Sequence, residues 1–346
     1  MSIERLTATP TERAVHAKVA DQMLDSHVTD SGGLTPLSGV RRPLPLRTLS
    51  PLRYPGSKRR MIPAIAEVIE ANVPTPELLV EPFCGGASVS LGLLEIGAVK
   101  RVFLADLDPL IAAFWKVATT DTEWLISAMR KEPITVERWD YWRGFKPTGA
   151  RNRALKCLFL NRTTFSGIIG GNAGPIGGRA QLNYKIDCRF DMDGIEARLR
   201  HVRELAEDGR IVGVHEGRWQ DSIRVAQDIF ATHGWRTKSL VFYMDPPYIE
   251  KAGGIYRRSF TECHHRELAQ HLNGSGERWI LSYDKEPLVL DLYGADRMPE
   301  VRRFAVPHTY TMVGTRSNPV PGREVLFTNL PQIPAPRGQH DTSESR

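Results

Sequence analysis

The apolar run Leu240-Val241-Phe242-Tyr243-Met244 stops on Asp245-Pro246-Pro247-Tyr248. A short apolar run before a pair of prolines reads as a buried strand that ends abruptly. Neither proline donates a backbone hydrogen bond, so the ladder cannot continue. The strand end then presents a carboxylate, a bare proline carbonyl and an aromatic ring. Asp245 and the Pro246 carbonyl are suited to accept the two N–H hydrogens of an exocyclic amino group on a flat base. Tyr248 is suited to stack on the ring of that base.

Other strand-like runs recur along the chain: 78–83, 101–106, 211–214, 279–283, 301–306 and 325–328. Helical patterns lie among them, from Ser88 to Leu94 and onward from Leu110. Strands alternating with helices predict an α/β fold with a mostly parallel sheet. Ligands of such sheets bind beyond the carboxyl ends of the strands. Phe83, Asp106 and Asp245 all fall at such ends. The stretch 115–193 breaks the alternation, with Trp115, Trp124, Trp139, Tyr141 and Trp142 followed by a glycine-rich segment from Gly167 to Gly178. It reads as an insertion forming a smaller, mainly helical domain between the segments 51–114 and 194–330. Residues 1–50 are polar and dotted with proline, and read as an extension with a short helix over Ala14–Leu24. Residues 331–346 read as a disordered tail.

The chain has 346 residues, 41% hydrophobic and 25% charged, ordinary values for a globular protein. Its formal charge of +6 is compatible with a polyanionic partner. No apolar stretch has the length of a bilayer span, and Met1–Asp30 lacks the apolar core of a signal peptide. The four cysteines, Cys84, Cys157, Cys188 and Cys263, form no CxxC pair. That spacing argues against a zinc or disulfide framework and fits a reducing cytoplasm.

Three further segments carry chemistry. In Glu81-Pro82-Phe83-Cys84-Gly85-Gly86-Ala87-Ser88, glycines between a strand and a helix let a ligand approach the backbone. By itself this is also an ordinary strand-to-helix turn. The GxGxxG and Walker spacings are absent, which disfavours a nicotinamide enzyme or an ATPase. Asp106 ends the next strand, where an acidic residue suits ribose hydroxyls; Asp108 competes for that role, and a helix cap is the plainer explanation for either. Arg53-Tyr54-Pro55-Gly56-Ser57-Lys58 places Tyr54 and Lys58 near a helix start.

In order and spacing, these segments together resemble the Dam-type, or D12-class, N6-adenine DNA methyltransferases, from about Arg53 to Asn329. Tyr54–Lys58 matches the family's N-terminal cofactor motif and Glu81–Ser88 its glycine-rich motif. Phe103–Asp106 matches the strand with the ribose-binding acid, and Asp245–Tyr248 the catalytic motif. Asn161-Arg162-Thr163-Thr164-Phe165-Ser166-Gly167 is similar to the segment before the family's DNA-reading hairpin. Phe260-Thr261 with His264-His265, then Leu281–Asp284 and Glu324–Asn329, also fit. The resemblance implies a Rossmann-like, S-adenosylmethionine-dependent methyltransferase sheet with an inserted, mainly helical DNA-recognition domain. It implies catalytic roles for Asp245, Pro246, Pro247 and Tyr248, and cofactor contacts at Tyr54, Lys58, Glu81, Phe83, Gly85, Asp106 and Asp245. It implies double-stranded DNA as partner, contacted by Asn161, Arg162, Ser166, Asn172 and Arg179, with no metal. A bacterial or phage protein at work in the bacterial cytoplasm, with room for a cognate restriction endonuclease, is the corresponding setting.

The chain departs from the family pattern in two places. Ala87 stands where a further glycine is frequent. From Ile168 onward there is no basic residue until Arg179, whereas members that read GATC carry an arginine shortly after the Gly167 position. Arginine is the usual bidentate reader of guanine, so its absence puts GATC specificity in doubt and leaves the target sequence open. Transfer to cytosine N4 or to RNA, and a catalytically silent DNA-binding module of the same fold, are the competing readings. Cys263-His264-His265 with His271 lacks a zinc spacing and reads as a polar helix start. Trp139, Tyr141 and Trp142 read as small-domain core. Arg151, Arg153 and Lys156 fit either a phosphate-binding face or a solvated one.

Overall fold

The computed structural model describes residues 35–36, 49–54, 56–236, 238–248, 260–310 and 320–334. The helix expected over Ala14–Leu24 lies outside these residues, as does most of the expected extension and tail. At the near edges the chain is already held. Leu49 and Ser50 are buried. Gln332 N–H donates to Asn72 Oδ1 at 2.7 Å, and Asn72 Nδ2 donates back to the Gln332 carbonyl at 3.0 Å. The tail expected from 331 is therefore bound to the fold through that residue, because its backbone finds a side-chain amide to pair with.

A two-residue strand, Thr35–Pro36, comes first in the chain. From residue 78 onward seven strands are described: β1 Leu78–Glu81, β2 Val102–Asp106, β3 Ile211–Glu216, β4 Leu240–Met244, β5 Trp279–Asp284, β6 Arg302–Tyr310 and β7 Val320–Thr328. They lie side by side in the order β6-β7-β5-β4-β1-β2-β3. Strands β5, β4, β1, β2 and β3 run parallel to their neighbours. β7 pairs antiparallel with both β5 and β6. The described helices are α1 Ile62–Asn72, α2 Ser88–Glu95, α3 Pro109–Thr120, α4 Thr122–Arg130, α5 Val136–Gly144, α6 Ala150–Thr163, α7 Met192–Glu207, α8 Trp219–Thr232, α9 Glu262–Gly274 and α10 Pro287–Leu292.

The central strands are apolar along their whole length because helices cover both faces of a parallel sheet. Every residue of β1 is buried, as are Val241 to Met244 of β4. A fully buried Leu, Val or Phe side chain contributes about 1.5–3 kcal/mol by leaving water. Local chemistry sets the helix starts. Asp108 Oδ1 accepts from Leu110 N–H at 2.8 Å, with Pro109 in the first turn of α3. Thr261 and His264 form a reciprocal cap at the start of α9.

The boundary expected at 115 falls inside α3. Trp115 is fully buried and belongs with the sheet, and the chain changes course at Asp121. Helices α4 to α6 follow, and α6 packs along α3, so Leu155, Leu158 and Phe159 join one hydrophobic core with Phe114 and Trp115. Trp139 and Trp142 are buried in this helical layer. Their indole N–H groups donate to Thr164 Oγ1 at 2.9 Å and Glu132 Oε2 at 3.0 Å.

The strand order reverses direction at one place. From β1 the chain moves outward through β2 and β3, then returns to place β4 on the other side of β1. Ligands of doubly wound sheets bind in the crevice at such a switch point. Here the crevice lies between the ends of β1, which carries Glu81 to Gly85, and β4, which carries Asp245.

Candidate active site

β4 delivers Asp245 into a polar knot assembled from four parts of the chain. Ser282 of β5 donates its hydroxyl to Asp245 Oδ1 at 2.9 Å. Lys58 Nζ lies 3.3 Å from the same oxygen and 3.8 Å from Glu324 Oε1 of β7. It also donates to the Gly56 carbonyl at 2.7 Å and sits 4.5 Å from the centre of the Tyr248 ring. Tyr243 OH bonds Ser282 Oγ at 2.8 Å; because Ser282 donates onward, Tyr243 donates to Ser282. Burial pushes the Asp245 carboxyl above its ordinary range; Lys58 and the Ser282 hydroxyl pull against that, and Glu324 adds to it. Both side-chain contacts fall on Oδ1, which leaves Oδ2 for a ligand.

The glycine loop after β1 forms the facing wall. Gly85 has φ +44° and donates its N–H to Asp106 Oδ2 at 2.9 Å. Its carbonyl accepts from Trp115 Nε1 at 2.8 Å. Tyr54 lies flat on this loop: a Cβ at Gly85 would stand 2.6 Å from Tyr54 Cε1, and one at Gly86 2.8 Å from Tyr54 Cβ. Gly85→Ala should therefore dislodge Tyr54 as well as strain the backbone, at a cost of about 2 kcal/mol or more. Two residues on, Ala87 is in the same left-handed region, at φ 48°. Ala87→Gly releases about 1–2 kcal/mol of that strain. It also loses a buried methyl, about 0.8 kcal/mol, and orders a freer backbone. It should stay within about 1 kcal/mol of wild type. Urea denaturation of the two variants checks both values.

The loop, Tyr54, Lys58 and Asp245–Tyr248 enclose a cavity of about 680 Å³. All of the sequence-predicted catalytic and cofactor residues line it: Tyr54, Lys58, Glu81, Phe83, Gly85, Asp106, Asp245, Pro246, Pro247 and Tyr248. Burial drives Glu81 up to about 8, against hydrogen bonds from Ser90, and Asp106 up to about 7, against the Asp108, Gly85 and Leu107 amides. The cavity thus concentrates carboxyl groups that a bound cation or hydroxyl donor would relieve. Phe260 meets Phe83 edge-on at 5.6 Å and lines the cavity with His264, Arg218 and Trp219.

Ser282, Glu324 and Trp115 had no individual role in the sequence reading. Ser282 stands beside Asp245 because β5 pairs with β4 in the register Met244↔Leu281. Glu324 arrives through the antiparallel pairing of β7 with β5. Neither register is written in local periodicity. Trp115 lies in the apolar helix that follows Asp108-Pro109, a local signal that separates it from the aromatic cluster downstream.

The expected DNA contacts are not gathered in one place. Asn161 is fully buried, and its amide is spent inside the fold. Its Oδ1 accepts from Arg53 N–H at 2.7 Å, and its Nδ2 donates to the carbonyls of Arg53 at 2.8 Å and Gly167 at 2.9 Å. Arg162 is buried, with its guanidinium on the Pro51 carbonyl. Both therefore act as internal braces between α6 and the segment 51–53, and the expectation of direct DNA contact is corrected for Asn161. Ser166, at φ 55°, Asn172 and Arg179 are exposed. Arg179 makes a two-point pair with Asp140. Gly167, at φ +76°, closes the brace, since a Cβ there would meet the Arg53 carbonyl at 2.0 Å. Asn161→Ala should destabilise by about 3 kcal/mol or more, because it strands buried backbone groups. A thermal melt reads that loss.

The remaining polar clusters disperse. Arg151 pairs with Asp121, Arg153 with Glu216, and buried Lys156 donates to the Phe145 and Arg143 carbonyls. His265 is buried against Tyr283 OH, His271 packs on Trp219, and Cys263 is exposed.

A mostly parallel sheet with its cavity at the switch point, a glycine loop over a strand-end acid and a strand ending on Asp-Pro-Pro-Tyr are the features of a Rossmann-like methyltransferase fold. Residues 54–200 match the model of the D12 class N6 adenine-specific DNA methyltransferases. The chain is similar to the type II methyltransferase M.MjaIII of Methanocaldococcus jannaschii, 24% identical over 182 residues, covering 46% of this chain and 62% of the relative. It is similar also to the DNA adenine methylase of Escherichia coli K12, 25% identical over 240 residues, covering 66% of this chain and 77% of the relative. The chain thus spans less than two thirds of the first relative's length. Among the described residues no helix is long and apolar enough to cross a membrane.

Proposed function

We propose that this protein transfers a methyl group from S-adenosylmethionine directly to N6 of an adenine turned out of duplex DNA. The observation that carries the reading is that Asp245, Pro246 and Tyr248 line one cavity with the glycine loop and Asp106. S-adenosylmethionine supplies a methyl already activated on a sulfonium, so no covalent enzyme intermediate is required. The cavity suits a cation that carries a ribose, because Glu81, Asp106 and Asp245 are carboxyl groups raised by burial.

The adenine amino group is a poor nucleophile because its lone pair is delocalised into the ring. Asp245 Oδ2 and the Pro246 carbonyl accept its two N–H hydrogens and favour a pyramidal nitrogen aimed at the methyl. Positioning of this kind contributes up to about 7–11 kcal/mol of barrier lowering. Tyr248 lines the cavity, and stacking of the base on its ring recovers about 1–3 kcal/mol of the cost of leaving the duplex. Asp245, with its raised carboxyl, also serves as an acceptor for the proton that the methylated nitrogen sheds. Tyr54, Phe83 and Gly85 shape the cofactor side, and the segment from Asp121 to Asp193 supplies the target-reading surface. With no arginine between Ile168 and Gly178, that surface is expected to read a sequence other than GATC.

Labelled S-adenosylmethionine offered to DNA, RNA and protein, followed by nucleoside analysis, tests the reading. N6-methyladenine from duplex DNA is the expected product; label on cytosine, RNA or protein overturns it. A second expectation concerns pH. Asp106 and Glu81 hold their protons up to about 7 and about 8, so a bound sulfonium should expel them. Cofactor affinity should rise between pH 6 and 8 with measurable proton release. Calorimetry in buffers of different ionisation enthalpy checks it.

A further inference from the structure

Beside the reaction cavity lies a second cavity of about 410 Å³, lined by Arg53, Arg59, Arg162 and Arg198 together with Ser57 and Ser166. The two cavities share Tyr54, Ser57 and Ser88 in their walls. The arginines stand close enough to oppose one another's charge. Burial first, then Arg198 and Arg53, push the Arg162 guanidinium down to about 9. Arg53 is lowered by burial and by Arg189, and Arg198 by burial. The carboxylate that faces Arg162 and Arg198 is Asp191, whose Oδ1 already caps α7 at the Gly194 N–H. Arg53 Nη1 and Arg198 Nε are buried with no hydrogen-bond partner among the described residues. Buried donors are almost always satisfied, and two unsatisfied guanidinium donors on arginines that line one cavity call for an acceptor beyond the described residues.

We propose that this cavity binds a phosphate group, and that the group is a backbone phosphodiester of the DNA being methylated. The inference rests on the proposed function and adds to it an anchor for the strand. Guanidinium forks match phosphate oxygens in geometry as well as charge. Ser166 lines this cavity while its neighbour Gly167 lines the other, so a strand whose base enters the reaction cavity passes a phosphate over the arginines. Phosphate contacts of this kind fix register without reading sequence.

The test compares wild type, Arg198→Gln, Arg53→Gln and the surface control Arg200→Gln, which alters charge on the same helix outside the cavity. Binding of a short DNA duplex is followed against salt, alongside affinity for S-adenosylmethionine and the thermal shift with inorganic phosphate. The expected result for Arg198→Gln and Arg53→Gln is duplex binding about tenfold weaker, with the slope of log K on log salt shallower by about one. Cofactor affinity and the rate at saturating DNA should be unchanged, and Arg200→Gln should match wild type. A salt slope unchanged in both cavity variants overturns the proposal. If phosphate stabilises wild type but neither cavity variant while duplex binding is unaffected, the cavity takes a free anion and its assignment to DNA is overturned. The reading as a methyltransferase fails separately, through the nucleoside products, whatever the salt slope.

Discussion

Asp245→Ala is expected to leave no detectable methyl transfer, a loss of at least about 10³-fold, in a protein that melts at or above the wild-type temperature. The two halves of this result have one cause. Asp245 sits where burial and Glu324 disfavour its charge, and Lys58 with Ser282 only partly compensates. A carboxyl whose folded value is raised above its unfolded one contributes stability when protonated. That contribution is complete below the unfolded value and disappears as pH rises through the folded one. At neutral pH the carboxylate is therefore a burden on the fold, tolerated for chemistry. Removing it leaves Lys58 within reach of Glu324. The stability advantage of the variant should grow as pH rises above the ordinary aspartate range. Wild-type turnover should move the other way and fall as acid protonates Asp245, since a protonated carboxyl is a poorer acceptor for the amino N–H. Paired melts and pH–rate profiles check both trends; a variant that retains activity ends the assignment.

Lys58→Met is expected to be the most destabilising change within the cavity. Lys58 is 4% exposed and stands between Asp245 and Glu324, itself 3% exposed. Without the ammonium, the half-buried carboxyl of Asp245 and the buried one of Glu324 are left to repel each other at the base of the site. Breaking a buried ion pair on one side costs about 3–5 kcal/mol, which lowers the melting temperature by roughly 10 °C. The variant should also shift the acid limb of any residual activity to higher pH, since the chief charge that holds the Asp245 carboxyl down is gone. Adding Glu324→Gln should restore part of the stability by removing one of the opposed carboxylates. A double-mutant cycle measures that recovery, and strictly additive losses would show that Lys58 and Glu324 act independently.

Much of this site is legible in the chain because its pieces are local. Met244 to Tyr248 is a strand end by apolar run and proline alone, and Glu81 to Ser88 is a strand-to-helix turn by its glycines. The residues that mislead are those whose chemistry is ambiguous until partners are known. Asn161 and Arg162 carry the donors and acceptors of a nucleic-acid contact, yet Asn161 closes on Arg53 and Gly167, and Arg162 on Pro51. Arg198, on α7, becomes part of a cationic cavity with Arg53 and Arg162 only once the chain has folded. Trp115 looks like one more aromatic of the helical layer until its indole is found on the Gly85 carbonyl.

By itself the sequence determined the parallel strands, the two loops that end β1 and β4, and hence the type of chemistry at Asp245. Apolar runs and proline or glycine stops act within a few residues, so they survive without knowledge of the rest of the chain. The tertiary structure alone decided what stands around Asp245: Ser282 by strand register, Glu324 by an antiparallel return, and Lys58 from a turn nearly 190 residues earlier in the chain. It also decided which arginines gather beside the reaction cavity. Charge and hydrogen-bond partners act across space rather than along the chain, so their effect is fixed only when the sheet and helices have closed on one another.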